Sequence, residues 1–262
     1  MCRQSLCFNC EKVWLAGYVK DFLQADKPLY NENIILKRIH SFLVADHMLA
    51  LARDMDKNLH DSTLAGIIGL FHDIGRFKQY RDYNTFSDQD SVYHGDLGIR
   101  VLEEAGKLSE FDTDDAGLIC TAIHNHGLPQ IEEGLSAREL HFSKMIRDAD
   151  KMDIFRIVDA YYKEMLTGKR NISLELGMKN EDKITDTVLD SFYREEIILK
   201  SDMTYLNDFK ILQLAWIYDL NFDYTRDYVF KSGHLESIIN SISIACIRDD
   251  LRKKAMDYLK KH

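Results

Sequence analysis

Proline interrupts this chain only twice, at Pro28 and Pro129, across 262 residues. Glycine, at 13 positions, is also sparse. Both residues act against helix interiors, so long stretches free of them predict an all-α protein. Apolar periodicity supports this. Residues 11–25 place Val13, Trp14, Tyr18, Phe22 and Leu23 roughly on one side of a helix. A longer helix is predicted from a cap at Asn31 or Asn33 through about Asp56, with an apolar stripe of Ile35, Ile39, Phe42, Leu43, Leu49 and Leu51. His40, Val44, His47 and Leu51 form a second line along it, at spacings of four, three and four. Asp61 or Ser62 is placed to cap the next helix. That helix runs Leu64-Ala-Gly-Ile-Ile-Gly-Leu-Phe71, is apolar on all sides and so requires burial. Gly75 is read as its terminator. A polar loop is expected over 76–93, and further helices over about 94–106, 112–126, 136–167, 185–200, 204–220 and 232–260. Residues 1–262 are read as a single all-helical domain, with 168–183 as the best candidate linker to a helical extension over about 184–262.

The charge balance narrows the partners. Thirty-four basic residues against 43 acidic ones leave a formal net charge of −9. That argues against stable nucleic-acid binding or attachment to a membrane surface, which usually show a basic footprint. A small anionic substrate in a local cationic pocket remains compatible. The five cysteines, at 2, 7, 10, 120 and 246, are odd in number, which argues against a disulfide framework. Cys7-Phe-Asn-Cys10 resembles half a zinc site, but no second pair completes it, so reduced thiols are expected there. The first 30 residues contain no signal-like apolar run, and no window approaches the ~20 apolar residues of a membrane span. A cytoplasmic location is expected.

The sharpest local oddity is His72-Asp73, at the end of the wholly apolar helix. A buried carboxylate needs compensation. A divalent cation would supply it and would accept the imidazole lone pair as well. A helix C-terminus with a dipole-favoured histidine and a solvated aspartate accounts for the dipeptide equally well.

The surrounding chain resembles the HD superfamily of metal-dependent phosphohydrolases. The resemblance rests on His40 in Arg38-Ile-His40-Ser-Phe-Leu-Val44-Ala, on His72-Asp73-Ile-Gly, and on Asp150 in Arg147-Asp-Ala-Asp150-Lys-Met-Asp. It covers about residues 35–160 and implies an HD-domain helical bundle with additional C-terminal helices. Two further segments match family members with larger sites: Phe86-Ser-Asp-Gln-Asp-Ser91-Val-Tyr-His94 and Ala122-Ile-His124-Asn-His126. The resemblance implies that His40, His72, Asp73 and Asp150 hold one divalent ion. Asp73 would bridge to a second, completed by His94 and His126. Manganese, iron, cobalt, nickel, zinc and magnesium all suit such ligands. His124 competes with His126 and is otherwise placed to line the pocket. His47 competes with His40 and is read as a neighbour of the ligands or as core. Asp148 and Asp153 are read as capping or surface carboxylates, with Asp153, one turn after Asp150 on a similar face, also a candidate to orient a ligand. His60, His141, His234 and His262 have no matching partners.

Phosphate entry needs cationic relief. Arg76 follows the His-Asp-Ile-Gly turn, and its guanidinium fork suits phosphate oxygens. Lys151 is a second candidate for substrate binding, and Lys78 and Arg81 read as solvated charges. The expected reaction is hydrolysis of a phosphate mono- or diester, with nucleotides among the candidate substrates, by metal-activated water. Asp73 and Arg76 are its catalytic candidates, and a homo-oligomer is allowed. Two alternatives stand beside it. Four histidines and two aspartates are also similar to the di-iron site of myo-inositol oxygenase, and a helical bundle could serve as a non-catalytic nucleotide sensor. Gly127-Leu-Pro129, where cyclic dinucleotide phosphodiesterases carry Gly-Tyr-Pro, weakens that substrate class.

Overall fold

A computed structural model describes residues 6–168, 175 and 177–261. The chain forms two compact units, Met1–Asp150 and Lys151–His262. The fold is all-α, as expected. Among the described residues, β structure is confined to one isolated bridge between Lys179 and Tyr205. None of their helices is long and apolar enough to cross a membrane.

The first unit contains α1 (Phe8–Lys20), α2 (Pro28–Asp54), α3 (Leu59–Phe71), α4 (Ile74–Tyr83), α5 (His94–Glu104) and α6 (Thr113–His126). It ends within α7 (Ala137–Met165). Helix α2 opens at Pro28 rather than at the asparagines, because proline gives up an N–H that the first turn leaves unbonded anyway. Its buried face carries Ile34, His40, Ser41, Val44, Ala45, Met48 and Leu51, whereas Ile35 and Ile39 are exposed. The buried line is therefore the one through His40 and Val44. Helix α3 is capped by Asn58, whose side chain accepts from the backbone N–H of Asp61, not by Asp61 or Ser62. All of Leu64–Phe71 is buried, as its apolarity requires. A Cβ on Gly69 would lie 2.6 Å from Ala45 Cα, so the glycine lets α2 and α3 touch backbone to backbone.

Half of the loop expected over 76–93 is helix α4. Ile74, Phe77 and Tyr80 give it a buried stripe at three-residue spacing, which its many charges disguise. Only 84–93 remains irregular, after Asn84 ends the helix in the left-handed region at φ 53°. Gly75 is not a terminator. It lies within α4, where a Cβ would come 2.2 Å from the carbonyl oxygen of His94 and 2.6 Å from Gly98 N. Its role is to bring α4 against the start of α5. The N-terminal cysteines also differ from expectation: Cys7 and Cys10 form a disulfide at the start of α1. The two lie close enough in sequence to pair through the helix's first turn without any wider framework.

The second unit contains α8 (Asp186–Tyr193), α9 (Leu206–Ala215), α10 (Asp223–Ser232), α11 (His234–Ser241) and α12 (Ala245–Lys261). Helix α8 stops short of 200, with Glu195 left-handed at φ 62°. Helix α10 has no counterpart among the helices expected from the sequence. The stretch expected as one helix over 232–260 is two, broken where Ile242 turns extended. The core collects Phe155, Tyr162, Phe192, Ile211, Leu214, Ile217, Ile239 and Leu251. Core packing is thus the role of Ile211, Leu214 and Ile217 from the aromatic-rich segment. Most of the linker predicted over 168–183, and His262, lie outside the described residues.

Candidate metal centre

Helices of the first unit bring a cluster of imidazoles and carboxylates into its interior. Helix α2 carries His40 on its buried face, and the α3–α4 junction supplies His72 and Asp73. Helix α5 opens with His94, α6 closes with His126, and α7 presents Asp150. All four imidazoles and Asp73 are buried.

The ligand atoms fall into two groups that share Asp73. In the first, His40 Nε2 lies 3.2 Å from His72 Nε2, 3.5 Å from Asp73 Oδ2 and 3.0 Å from Asp150 Oδ1. His72 Nε2 lies 3.7 Å from Asp73 Oδ2 and 3.6 Å from Asp150 Oδ1. In the second, His94 Nε2 and His126 Nε2 are 2.9 Å apart, at 3.4 and 3.7 Å from Asp73 Oδ1. Ligands about 2.1 Å from one ion sit roughly 3.0 Å apart in octahedral and 3.4 Å apart in tetrahedral arrangements. Both groups have that spacing, and each uses a different oxygen of Asp73.

Hydrogen bonding decides which ring nitrogen faces inward. His72 Nδ1 is 2.8 Å from the Gly69 carbonyl, and His126 Nδ1 is 2.6 Å from the Ile123 carbonyl. His94 Nδ1 is 2.8 Å from Asp88 Oδ2. Each acceptor requires Nδ1–H, which leaves Nε2 with a lone pair. The Nε2 atoms of His94 and His126 therefore point lone pairs at one another across 2.9 Å. Two such acceptors repel unless a cation stands between them. Asp150 Oδ1 is likewise buried and receives no hydrogen bond. The donor set, lone pairs and carboxylate oxygens converging without protons to share, fits divalent ions.

Ionisation states agree with that reading. Burial pushes His94 down to about 3, with help from Arg76 and against the pull of Asp88. Burial also lowers His72, against Asp73 and Asp150. Burial opposes ionisation of Asp73, but Lys37, His72, His126 and Arg76 outweigh it and hold the carboxyl well below the usual range. Burial is similarly overcome at Asp150 by His40 and His72. His72 and His94 thus rest as neutral imidazoles and Asp73 and Asp150 as carboxylates, the forms that metals bind.

The cations are arranged differently from the sequence expectation. Arg76 Nη1 donates to Gln79 Oε1, the Phe86 carbonyl and Asp88 Oδ1, at 2.8, 2.6 and 2.8 Å. Its Nε stands 3.4 Å from Asp73 Oδ1. Its bonds thus fasten the 84–93 segment beside the cluster. Lys37, one turn before His40, donates from Nζ to Asp73 Oδ2 at 2.7 Å and lies over the Phe86 ring. Its place on the His40 face was readable from the three-residue spacing. Asp88 lies within the Phe86–His94 segment, where nothing in the local pattern marks it out from Asp90. Arg147, three residues before Asp150, donates to the carbonyls of Asn125, His126, Leu128 and Pro129 and so anchors the end of α6.

The remaining candidates are not among the gathered residues. His124 turns Nδ1 to Asp96 at 2.6 Å and Nε2 to Glu132 at 3.3 Å. Lys151, in the second unit, pairs with Asp219 at 2.6 Å. His47 is partly buried on α2 and joins neither group. Asp148 and Asp153 are fully buried, which corrects their reading as surface groups, and Asp153 accepts from Arg156. His60 pairs with Asp115 and His234 with Asp159. Lys78 and Arg81 make exposed ion pairs with Glu104 and Asp82.

The HD domain family matches residues 38–168, half of the chain, and the chain belongs to that family. Its members are mostly metal-dependent phosphohydrolases. No curated protein and no solved structure matches the chain.

Proposed function

We propose that this protein hydrolyses a small phosphate ester with two divalent ions held by the six gathered residues. His40, His72, Asp150 and Asp73 Oδ2 would hold one, and His94, His126 and Asp73 Oδ1 the other. The observation that carries this reading is the pair of Nε2 lone pairs facing each other at His94 and His126. When bound, such ions acidify water and offset charge on phosphoryl oxygens.

The chain's own residues supply the rest. Asp73 presents one oxygen to each group and fixes them relative to one another. Lys37 is the better-placed phosphate cation. Its ammonium touches the same carboxylate, whereas Arg76 Nη1 is already committed to the 84–93 segment. Burial of the imidazoles excludes bulk water from the ligand side, which strengthens electrostatic interactions there. The net charge of −9 favours a small phosphate ester over a nucleic-acid polymer.

Metal analysis of the purified protein, followed by phosphate release from nucleotide and non-nucleotide esters with Mn, Co, Ni and Mg, tests this. Metal-dependent release that vanishes in Asp73→Ala is expected. Release that survives in Asp73→Ala overturns the reading. Oxygen uptake by iron-loaded protein on polyols, without phosphate release under any metal, moves it to the oxygenase alternative.

A further inference from the structure

The three imidazoles with a fixed tautomer are not held alike. His72 and His126 each give Nδ1–H to the carbonyl three residues earlier, Gly69 and Ile123. Those acceptors belong to the helices that carry the ligands, so α3 and α6 orient these rings by themselves. His94 is the first residue of α5, with no turn of helix before it. Its acceptor comes from the irregular segment instead, as Asp88 Oδ2 at 2.8 Å.

Asp88 is itself fastened. Its Oδ1 accepts from Arg76 Nη1 and Gln79 Nε2, both at 2.8 Å, and from the backbone N–H of His94 at 3.3 Å. Gln79 is fully buried and also reaches Ser91 Oγ and the Val92 carbonyl, both at 2.9 Å. Ser91 Oγ closes the segment on the Ser87 carbonyl at 2.7 Å. Two side chains of α4 therefore hold a carboxylate, and that carboxylate holds His94. A charge-assisted bond to a carboxylate holds its ring more firmly than a bond to a neutral carbonyl, so the orientation of His94 depends on Asp88. Arg76, Gln79 and His94, the partners of Asp88, all lie outside the His40–His72–Asp150 group. Arg76 is explained as the brace of this arrangement.

We propose that Asp88 is the positioning residue of the second metal subsite, and that this subsite can be emptied while the His40–His72–Asp150 subsite stays filled. The inference rests on the two-ion reading above. It assigns Asp88, Arg76 and Gln79 to metal loading rather than to substrate.

Mn(II) titration of the full chain tests it, with bound metal counted and paramagnetic resonance recorded. Wild type should bind two ions and show the signature of a coupled pair. Asp88→Ala should keep one ion at near wild-type affinity and bind the second about 10–100-fold more weakly, the range for residues that orient a ligand. The coupled signal should give way to that of an isolated ion. Asp88→Asn, which keeps a neutral acceptor for His94 Nδ1, should fall between, and it carries the test if the alanine variant does not fold. Unchanged affinity for both ions in these variants overturns the role of Asp88. Equal weakening of both ions also overturns it. A wild-type protein that binds only one ion overturns the two-ion reading beneath it, a result visible before any variant is made.

Discussion

Asp73 and Asp208 are both buried aspartates, one in each unit, and their surroundings could hardly differ more. Asp208 accepts from Thr185 N, Thr185 Oγ1, Thr204 N and Tyr205 N, all within 2.7–2.9 Å. Its charge is spent on tying the start of α9 to the approach to α8. Asp73 has one close donor, Lys37, and faces four imidazole Nε2 atoms within 3.4–3.7 Å. The second unit completes the valence of its buried aspartate from within the chain. The first leaves an excess of acceptors. Buried polarity alone therefore does not mark a functional site, since every interior needs some. The mark is a set of acceptors whose geometry excludes the donors it would need.

The largest predicted effect is a crossover between these two residues. Asp73→Ala should reduce metal-dependent phosphate release by more than about 100-fold, beyond the range for groups that only orient ligands. It should lower the stability of the metal-free protein less than Asp208→Ala does, because Lys37 is partly exposed and can turn to water once the carboxylate is gone. Asp208→Ala should do the reverse. Several donors lose their acceptor at about 1–3 kcal/mol each, partly recovered by water, so a loss of about 3 kcal/mol is expected. Activity per folded molecule should be unchanged. Thermal unfolding and phosphate release, measured on both variants, read the crossover. A fall in metal content in Asp208→Ala would break the contrast.

All six residues that the structure gathers could be named from the sequence. The resemblance to the HD superfamily supplied that set; from the residues alone only His72-Asp73, at the end of a wholly apolar helix, stood out. The surroundings were less legible for identifiable reasons. The buried face of α2 was misplaced because it carries Asn33, His40 and Ser41, which an apolar count discounts, while Ile35 and Ile39 face outward. Exposed apolar residues are ordinary. Helix α4 was hidden by the polar residues between its three large buried apolar positions, Ile74, Phe77 and Tyr80. With α4 read as loop, Arg76 and Gln79 had no common face, so their shared grip on Asp88 could not be inferred. The path of residues 84–93, which puts Asp88 under His94, is a tertiary fact with no local pattern.

The two interiors should also separate by pH. In the metal-free protein, His94 is held near 3, against about 6.5 unfolded. The unfolded state then binds the extra proton, so stability is intact above about pH 6.5 and falls as pH drops toward 3. His94 alone accounts for roughly 2 kcal/mol by pH 5, and lowered His72 adds in the same direction. The second unit has its own window at alkaline pH. Burial lowers Lys210 from 10.5 to about 8, so its unfolded form binds more protons above that value and stability rises with pH. The rise should be visible between pH 8 and about 10, before unfolded tyrosines ionise. Denaturant titrations of metal-free protein across both ranges check this. Stability that instead rises as pH falls from 7 to 5 would mean that the buried imidazoles are already protonated. Their Nε2 atoms would then carry protons, and no lone pairs would face each other.

The smallest effect should come from the Cys7–Cys10 disulfide, which lies in the same unit as the metal ligands. It closes a loop of four residues, for which chain entropy gives at most about 2 kcal/mol. Both cysteines are exposed, and the helix they start is held elsewhere, by Trp14 against Phe71 and by the buried Glu11–Lys107 ion pair at 2.8 Å. Phe71 directly precedes His72, so α1 reaches the ligands through packing well past the disulfide. Reduction, or Cys7→Ser with Cys10→Ser, should therefore lower the melting temperature by a few degrees at most and leave bound metal unchanged. Loss of an ion on reduction would show that the start of α1 and the ligand cluster are one cooperative element. The contrast between the units would then extend to the whole of α1, instead of resting on the six ligands and the residues that orient them.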